Sequence, residues 1–391
     1  MVKSFVTLFP FFRDHHFYKD PGQVPYRISG EGFEARIVRF RSDDLLPVTE
    51  KHIRVSQISP IFGHKAGNLS LLFWLFRNSR RTDILNLFHL TWQSLLTSWL
   101  FKLFNRNGFV WIKMDNCHAS GRYDWEDILE RSNHTGTLIK RFREWLMRSH
   151  FVQSVDLWSV EDEGSRGYYE TRYPVFRGKI LTVYNGHCAD IVNYTGRKSF
   201  SEKEKIIVSA GRLGTHQKAT EVLLEAFRDV APLTDYDLHL AGTMEPGFMT
   251  WYEAFITANP DLKQRIFYHG SLDAGELYTL YDRSRILCMP SRYEGLALVF
   301  CEAMYFGNAV VTTGSVSVAG IIRDESAGVV AERIDHKAVA ESLLILLSDP
   351  SVAESSGHNA WRWAEQHFSW PVIISGLTDE LDKRIKQRKA G

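Results

Sequence analysis

Residues 290–313 read PSRYEGLALVFCEAMYFGNAVVTT. An apolar run, RILCMP from Arg285, leads into this stretch, and a second, AVVTT from Ala309, closes it. Between the two runs lie a loop carrying Gly295 and a helical segment that Gly307 terminates. Strand, crossover helix and strand in that order make a parallel unit of an α/β sheet. Glu294 falls in the strand-to-helix loop and Glu302 about one turn into the helix. Both carboxylates are then expected to face one crevice, with the amides of Gly295, Leu296, Ala297 and Leu298 pointing outward at the helix start.

Outward from this unit the pattern repeats. IIVSA from Ile206, DLHLAG from Asp237, IFYHG from Ile266 and the short GVV from Gly328 read as further strands, each set off by a helical stretch. Val222, Leu223, Ala226, Phe227 and Val230 recur at helical spacing before Ala231-Pro232 stops the segment. The first half repeats the alternation less cleanly, with strands at KSFVTLF, EARIVRF, ILNLF, FVWIKM, VDLWSV and KILTVY. A chain of 391 residues has room for two cores. The expected organisation is an N-terminal Rossmann-like domain over residues 1–187, a C-terminal one over 188–369, and a terminal helix, about 370–391, returning to the first. In doubly wound sheets of this kind ligands bind beyond the carboxyl ends of the strands, so the loops that follow strands are where chemistry is sought.

Composition narrows the class. A hydrophobic fraction of 44% with mixed charges at 24% describes a folded globular chain and excludes disorder. No stretch reaches the roughly 18 uncharged apolar residues that a spanning helix needs. The start, MVKSFVTLFPFF, lacks a small-residue cleavage site, so no signal peptide is expected. Cys117, Cys188, Cys288 and Cys301 lie too far apart for a zinc pair or a disulfide framework, which suits the cytoplasm. A net charge of +1 gives no reason to expect nucleic acid as a partner, yet it hides +6 over residues 1–190 and −5 over the rest. In the basic half, LIKRFREWLMR at 138–148 sets Lys140, Arg141, Arg143 and Arg148 among apolar residues. With FWLFRNSRR nearby, this suits peripheral docking on an anionic leaflet such as the inner face of the plasma membrane. A helix with its apolar side in the core, or a site for an anionic polysaccharide, fits the same residues.

The segment VSAGRLGTHQKAT, from Val208, places two cations beyond a strand. Gly211 and Gly214 let the backbone approach closely, Arg212 offers a planar donor fork, and Lys218 adds a point charge at the mouth of the next helix. Together they suit a diphosphate, although a solvated basic loop has the same composition. One charge-assisted contact contributes about 1.5–3 kcal/mol. It favours a transition state in which charge grows on the leaving diphosphate. A nucleotide sugar supplies a group for every part: phosphates for the cations and amides, sugar and ribose hydroxyls for Glu294 and Glu302.

These blocks, GRL with QK, LAG, the His269-Gly270 pair, PSRYEGLAL with EAM, and the strand entry after Gly307, closely resemble family 4 of the retaining glycosyltransferases over residues 205–370. That family's hallmark is two glutamates separated by seven residues. The resemblance implies a GT-B fold, two Rossmann-like doubly wound domains facing each other across a cleft. It implies a donor, a nucleotide diphosphate sugar with UDP favoured and GDP second, held mainly by the second domain. Arg212 and Lys218 would lie on the diphosphate, Glu294 on the transferred sugar and Glu302 on the ribose, with the backbone from Phe267 to Gly270 flanking the base. It further implies a saccharide or lipid-linked saccharide acceptor in surface polysaccharide or glycolipid assembly, with no cofactor and no metal. TVYNGHCAD resembles the family's interdomain PNGVD segment, with Tyr184 in place of Pro.

The first half departs from the family pattern. Where many members carry a glycine-rich loop after the first strand, this chain has FPFFRDHHFYKDPGQVPY, with only Gly22 near a helix start. DILNLFHLTW puts His89 at the cleft edge, and FVWIKMDNCHASG offers Asp115 and His118 where a His-Asp pair is usual. Asp115 is the expected group near the anomeric carbon or acceptor hydroxyl. The Asp235-Tyr236-Asp237 string invites a divalent metal, but it precedes its strand and so lies at the wrong edge of the sheet. Two other classes share the scaffold: a nucleotide-sugar epimerase or hydrolase, and a non-catalytic binding subunit. The intact Arg212, Lys218, Glu294 and Glu302 favour the transferase.

Overall fold

The computed structural model describes residues 2–60, 68–114, 145–192, 194 and 196–390. It divides into two compact units, one of residues 1–184 with 370–391 and the other of residues 185–369. The division falls three residues before the boundary read from the sequence.

Among the described residues the first unit is built on seven parallel strands, β1 (Lys3–Leu8), β2 (Phe33–Phe40), β3 (Val55–Ile58), β4 (Ile84–Phe88), β5 (Phe109–Lys113), β6 (Leu157–Val160) and β7 (Ile180–Thr182). Their order across the sheet is β3-β2-β1-β4-β5-β6-β7. Helices α1 (Asp20–Ile28), α2 (Thr49–His52), α3 (Asn68–Asn78), α4 (Trp92–Phe104) and α5 (Glu163–Arg172) belong to this unit. Every residue of β4, β5 and β6 is buried, as expected of central strands covered on both faces. Val6, Leu85, Val110, Ile112 and Trp158 meet Phe101 of α4 in one core. The edge strand β3 escaped the sequence reading. Its four residues, VSQI, carry two polar side chains and form no apolar run.

The second unit has six parallel strands, β8 (Ile206–Ala210), β9 (Asp237–Ala241), β10 (Ile266–Tyr268), β11 (Ile286–Met289), β12 (Ala309–Thr313) and β13 (Gly328–Ala331). They are ordered β10-β9-β8-β11-β12-β13. The helices are α6 (Thr220–Val230), α7 (Pro246–Ala258), α8 (Ala274–Arg283), α9 (Leu298–Tyr305), α10 (Ala319–Asp324), α11 (His336–Ser348) and α12 (Pro350–His367). Leu223, Phe227 and Val230, the helical stripe noted above, pack against Ile207, Leu238 and Val311 of the sheet.

The last helix, α13 (Trp370–Ala390), belongs to the first unit. Trp370, Ile374, Leu377 and Leu381 are buried. Arg384 donates to the Gly178 carbonyl at 2.8 Å, Arg388 donates to that of Gly108 at 2.7 Å, and Lys3 pairs with Asp382.

Both sheets reverse their winding beside their first strand, between β1 and β4 in one unit and between β8 and β11 in the other. These are the switch points where doubly wound sheets form ligand crevices. In the second unit the backbones approach closely just beyond the strands. Gly211 N donates to the Ala241 carbonyl at 2.9 Å, and Gly242 adopts φ +125°. A Cβ on Gly242 would lie 1.9 Å from the Gly211 carbonyl oxygen. Gly242→Ala is therefore expected to destabilise this unit by about 2 kcal/mol and to lower its thermal midpoint by roughly 4–8 °C. An unchanged midpoint by calorimetry would contradict the close approach.

Candidate active site

Strands β8 and β11 are neighbours whose chains leave the sheet in different directions. After Ala210 the chain runs through 211–219 into α6, and after Met289 it runs through 290–297 into α9. The switch point opens between these two loops. There the Lys218 ammonium lies 2.5 Å from Glu294 Oε1, with side chains only 12% and 8% exposed. Ser291 Oγ donates to the same carboxylate oxygen at 3.3 Å. Thr313 Oγ1 holds the Ser291 carbonyl at 2.6 Å, and the Glu294 carbonyl accepts from Ser317 N at 3.2 Å. Loop 290–297 is thus pinned from the end of β12 and the turn beyond it. An ammonium has three protons and a carboxylate about four acceptor sites. The pair can therefore bind each other and still serve a phosphate oxygen and a sugar hydroxyl.

Arg212 enters the same cluster through a residue the sequence reading did not single out. Its Nη2 donates to Gln217 Oε1 at 3.0 Å, and Gln217 Nε2 donates to the Tyr293 carbonyl at 3.2 Å. Arg292 N returns a bond to the Gln217 carbonyl at 2.8 Å. The Arg292 guanidinium then holds the His216 carbonyl at 2.8 Å and Glu221 at 2.6 Å. Gln217 and Arg292 stitch the cation loop to the carboxylate loop. Spacing offered no signal for this, because the partners lie 71 to 76 residues apart.

Glu302 sits in α9, where it accepts from Tyr278 Oη at 3.4 Å. Its charge, after burial, helps to hold the hydroxyls of Tyr278 and Tyr281 protonated well above the usual phenol range. Tyr278 Oη also accepts from Cys188 N at 2.9 Å. The four amides expected to point outward need one correction. Ala297 N is spent on the Gly295 carbonyl at 3.0 Å, because the chain turns tightly there before α9 begins. The Leu296 carbonyl is held by Asn185 Nδ2 at 3.0 Å. The amides of Gly295, Leu296 and Leu298 have no acceptor among the described residues.

His269 and Gly270 follow β10. His269 Nε2 and His239 Nδ1 share a hydrogen bond of 3.0 Å, and Gly242 N donates to the Gly270 carbonyl at 2.7 Å. Burial, with His269 and Arg283 close by, pushes His239 down to about 4, and burial with Arg283 lowers His269 as well. Near neutral pH this pair is uncharged and offers hydrogen bonds rather than a cation. The aspartates at 235 and 237 are each paired with a base, Lys205 at 2.6 Å and Arg265 at 2.7 Å. No cluster of three metal-ligating side chains occurs among the described residues.

In the first unit, Asp115 and His118 lie outside the described residues, as does segment 138–148 except for its end from Trp145. His89 follows β4 at the switch point with φ +65°, a left-handed conformation that side chains seldom adopt. Two bonds hold it there: His89 N to the Lys113 carbonyl and Ser94 Oγ to the His89 carbonyl, both 2.8 Å. Gly22 serves packing. A Cβ there would lie 2.4 Å from Phe17 Cα, so glycine lets α1 sit directly on the preceding turn. His16 is pushed down to about 4 by burial and by neighbouring bases, His15 first, and its Nδ1 accepts from Arg13 N at 2.8 Å. Lys113, which no sequence motif marks, is fully buried at the end of β5 with Asp20 at 3.1 Å and Glu161 at 3.5 Å. Burial works against its charge, but the two carboxylates together raise its pKa. This triad ties α1 to the carboxyl ends of β5 and β6.

Comparison with known proteins fits this geometry. Residues 193–363 match the family described as "Glycosyl transferases group 1". An uncharacterized glycosyltransferase of Methanocaldococcus jannaschii is 25% identical over 205 residues, covering 50% of this chain and 52% of that protein. A Campylobacter jejuni alpha-1,4-N-acetyl-D-galactosaminyltransferase acting on an undecaprenol-linked saccharide is 26% identical over 246 residues, covering 60% and 61%. The chain spans about half the length of the first of these curated relatives. Among solved structures, Anabaena HepE in complex with UDP superposes with a TM-score of 0.73 at 14% identity, covering 97% of this chain and 100% of that one. The chain thus has the two-unit GT-B fold, and residues 193–363, within its second unit, match the glycosyl transferases group 1 family.

Proposed function

We propose that the chain is a glycosyltransferase of the retaining family 4 type. It moves a sugar from a nucleotide diphosphate sugar, UDP-linked in preference to GDP-linked, onto a saccharide or lipid-linked saccharide in polysaccharide or glycolipid assembly. The observation that carries this reading is the Lys218–Glu294 pair at the switch point of the second sheet, with Arg212 tied to the same loops through Gln217. The group 1 family match over residues 193–363 contains all of these residues.

In this mechanism the acceptor hydroxyl attacks from the face that the nucleotide leaves. The sugar-to-phosphate bond breaks as the new glycosidic bond forms, and the acceptor proton passes to a departing phosphate oxygen. Arg212, Lys218 and the amides of Gly295, Leu296 and Leu298 meet the growing negative charge, where fixed donors act most strongly. Glu294 orients the sugar through its hydroxyls, Glu302 serves the ribose, and the His269-Gly270 turn flanks the base. Asp115, outside the described residues, keeps the role expected from the sequence, near the anomeric carbon or acceptor hydroxyl. No step calls on a metal.

A peripheral membrane role is part of this reading, and the exposed apolar residues of the first unit support it. On α3, Leu69, Phe73 and Phe76 are 64%, 49% and 64% exposed, and Leu103 of α4 is 55% exposed. Phe76 meets Phe104 of α4 at 5.6 Å, so the two helices present one apolar face. The Arg77 guanidinium lies over the Phe73 ring, and Arg80 and Arg106, a few residues beyond the ends of α3 and α4, are exposed too. An apolar face with a basic margin matches an anionic leaflet. No helix among the described residues is long and apolar enough to cross a membrane.

Three measurements test these readings. Lys218→Ala is expected to lower kcat about 100-fold, the loss typical of one donor to a developing anion; undiminished turnover would overturn the cation assignment. The anomeric proton coupling of the product, read by NMR, should match that of the donor, and turnover should be unchanged by EDTA; an inverted product excludes the retaining mechanism. In sedimentation with vesicles, the chain should pellet with phosphatidylglycerol and not with phosphatidylcholine alone, and Phe73→Ser with Phe76→Ser should abolish pelleting. Equal pelleting by both kinds of vesicle, or by the double variant, rules out this surface.

A further inference from the structure

The second unit opens with Asn185-Gly186-His187-Cys188, and this short segment props α9 and the loop before it at two separate points. At the first, Asn185, itself buried, donates through Nδ2 to the Leu296 carbonyl at 3.0 Å. The peptide joining Leu296 to Ala297 is then fixed on both sides, because Ala297 N is held by the Gly295 carbonyl at 3.0 Å. A peptide unit is planar, so two bonds of this kind set its rotation. The amides of Gly295, Leu296 and Leu298 flank that plane, and none has an acceptor among the described residues. Their directions follow from the plane between them.

At the second point, Cys188 N donates to Tyr278 Oη at 2.9 Å, and Tyr278 Oη donates to Glu302 Oε1 at 3.4 Å. A phenol has one proton. With a backbone amide filling an acceptor site of the oxygen, that proton is left for the carboxylate. Burial first, and the Glu302 charge after it, keep the proton on the phenol well above the usual range. Bonds in such a chain polarise one another. Tyr278 is 1% exposed, so it can act on a ligand only through the glutamate. Between the two points His187 ties the segment down. Its ring stacks on that of Tyr305 at the end of α9, with centroids 3.7 Å apart and planes 19° from parallel, and its amide donates to the Phe368 carbonyl at 3.0 Å. Further on, Tyr194 Oη and Lys198 N each donate to Asp282 of α8 at 2.9 Å. Asn185 and Cys188 are therefore held in register with α8 and α9.

We infer that Asn185 and Tyr278 are positioning residues for the donor: Asn185 aims the amides of Gly295, Leu296 and Leu298 at the diphosphate, and Tyr278, held by the Cys188 amide, aims Glu302 at the ribose diol. Both act through another residue. These roles rest on the donor reading given above, and they divide one nucleotide between two independent props. Loss of one prop is felt by one part of the ligand, whereas general damage to the unit is felt by all of it.

The test is binding to the full chain with three probes: UDP, uridine, which lacks the diphosphate, and 2′,3′-dideoxy-UDP, which lacks the ribose diol. UDP and its dideoxy analogue are titrated by calorimetry and uridine by NMR; for a chain that prefers GDP, the guanosine counterparts replace them. Asn185→Ala is expected to weaken UDP and dideoxy-UDP alike, by about tenfold, the scale of one hydrogen bond, and to leave uridine unchanged. Tyr278→Phe removes a single buried oxygen. It is expected to weaken UDP and uridine by about the same factor and to leave dideoxy-UDP unchanged. Should Asn185→Ala fail to fold, Asn185→Ser, which keeps a polar group but falls short of the Leu296 carbonyl, takes its place. A folded variant that binds all three probes as the wild type does, or that loses the same factor on all three, overturns the proposal. A wild-type chain that binds neither UDP nor GDP marks instead the failure of the donor reading, and the positioning roles go with it.

Discussion

A buried lysine beside a buried glutamate is costly unless each satisfies the other. Removing water from two charges is repaid only by close geometry and by further hydrogen bonds to what is left over. Lys218 and Glu294 meet that condition at 2.5 Å, with Ser291 supplying an additional donor. The rest of the second unit can be seen as the apparatus that makes this contact possible. Two adjacent strands must diverge, glycines at 211 and 242 must let their backbones nearly touch, and Gln217 and Arg292 must lock the emerging loops together.

The consequence is preorganisation. Groups already aimed at one point need no reorganisation when charge develops there, and this is where most of the benefit of a polar site arises. The first unit solves a parallel problem differently. Lys113 fixes the start of α1 to the sheet through two acids, and Gly22 brings that helix onto the preceding turn. The loop after β1 is thereby held by packing.

The architecture was legible because parallel strands buried on both faces are short, apolar and evenly spaced, as ILNLF and FVWIK show. The edge strand VSQI was not, since half of it is polar. In the loop cluster, Arg212, Lys218 and Glu294 could be named because they stand in short local strings beside strand ends. Gln217, Arg292 and Asn185 could not, because their roles consist of carbonyls supplied by distant parts of the chain. Gly22 carries a packing role that its sequence context does not signal: the missing side chain makes room for Phe17. The pairing of His239 with His269 was equally invisible, since it depends on the register of β9 against β10.

The helix α13 carries a consequence for how the molecule comes into being. Residues 370–391 complete the first unit, while residues 185–369 form the second without interruption. During synthesis the usual amino-to-carboxyl order of domain folding is therefore altered. The middle of the chain can reach its final state while α1 of the first unit is still waiting for α13, whose Trp370, Ile374, Leu377 and Leu381 are buried in the finished fold. Until the ribosome has delivered those residues, the amino-terminal half exposes apolar surface to the cell, and that interval is when a chaperone would find this protein.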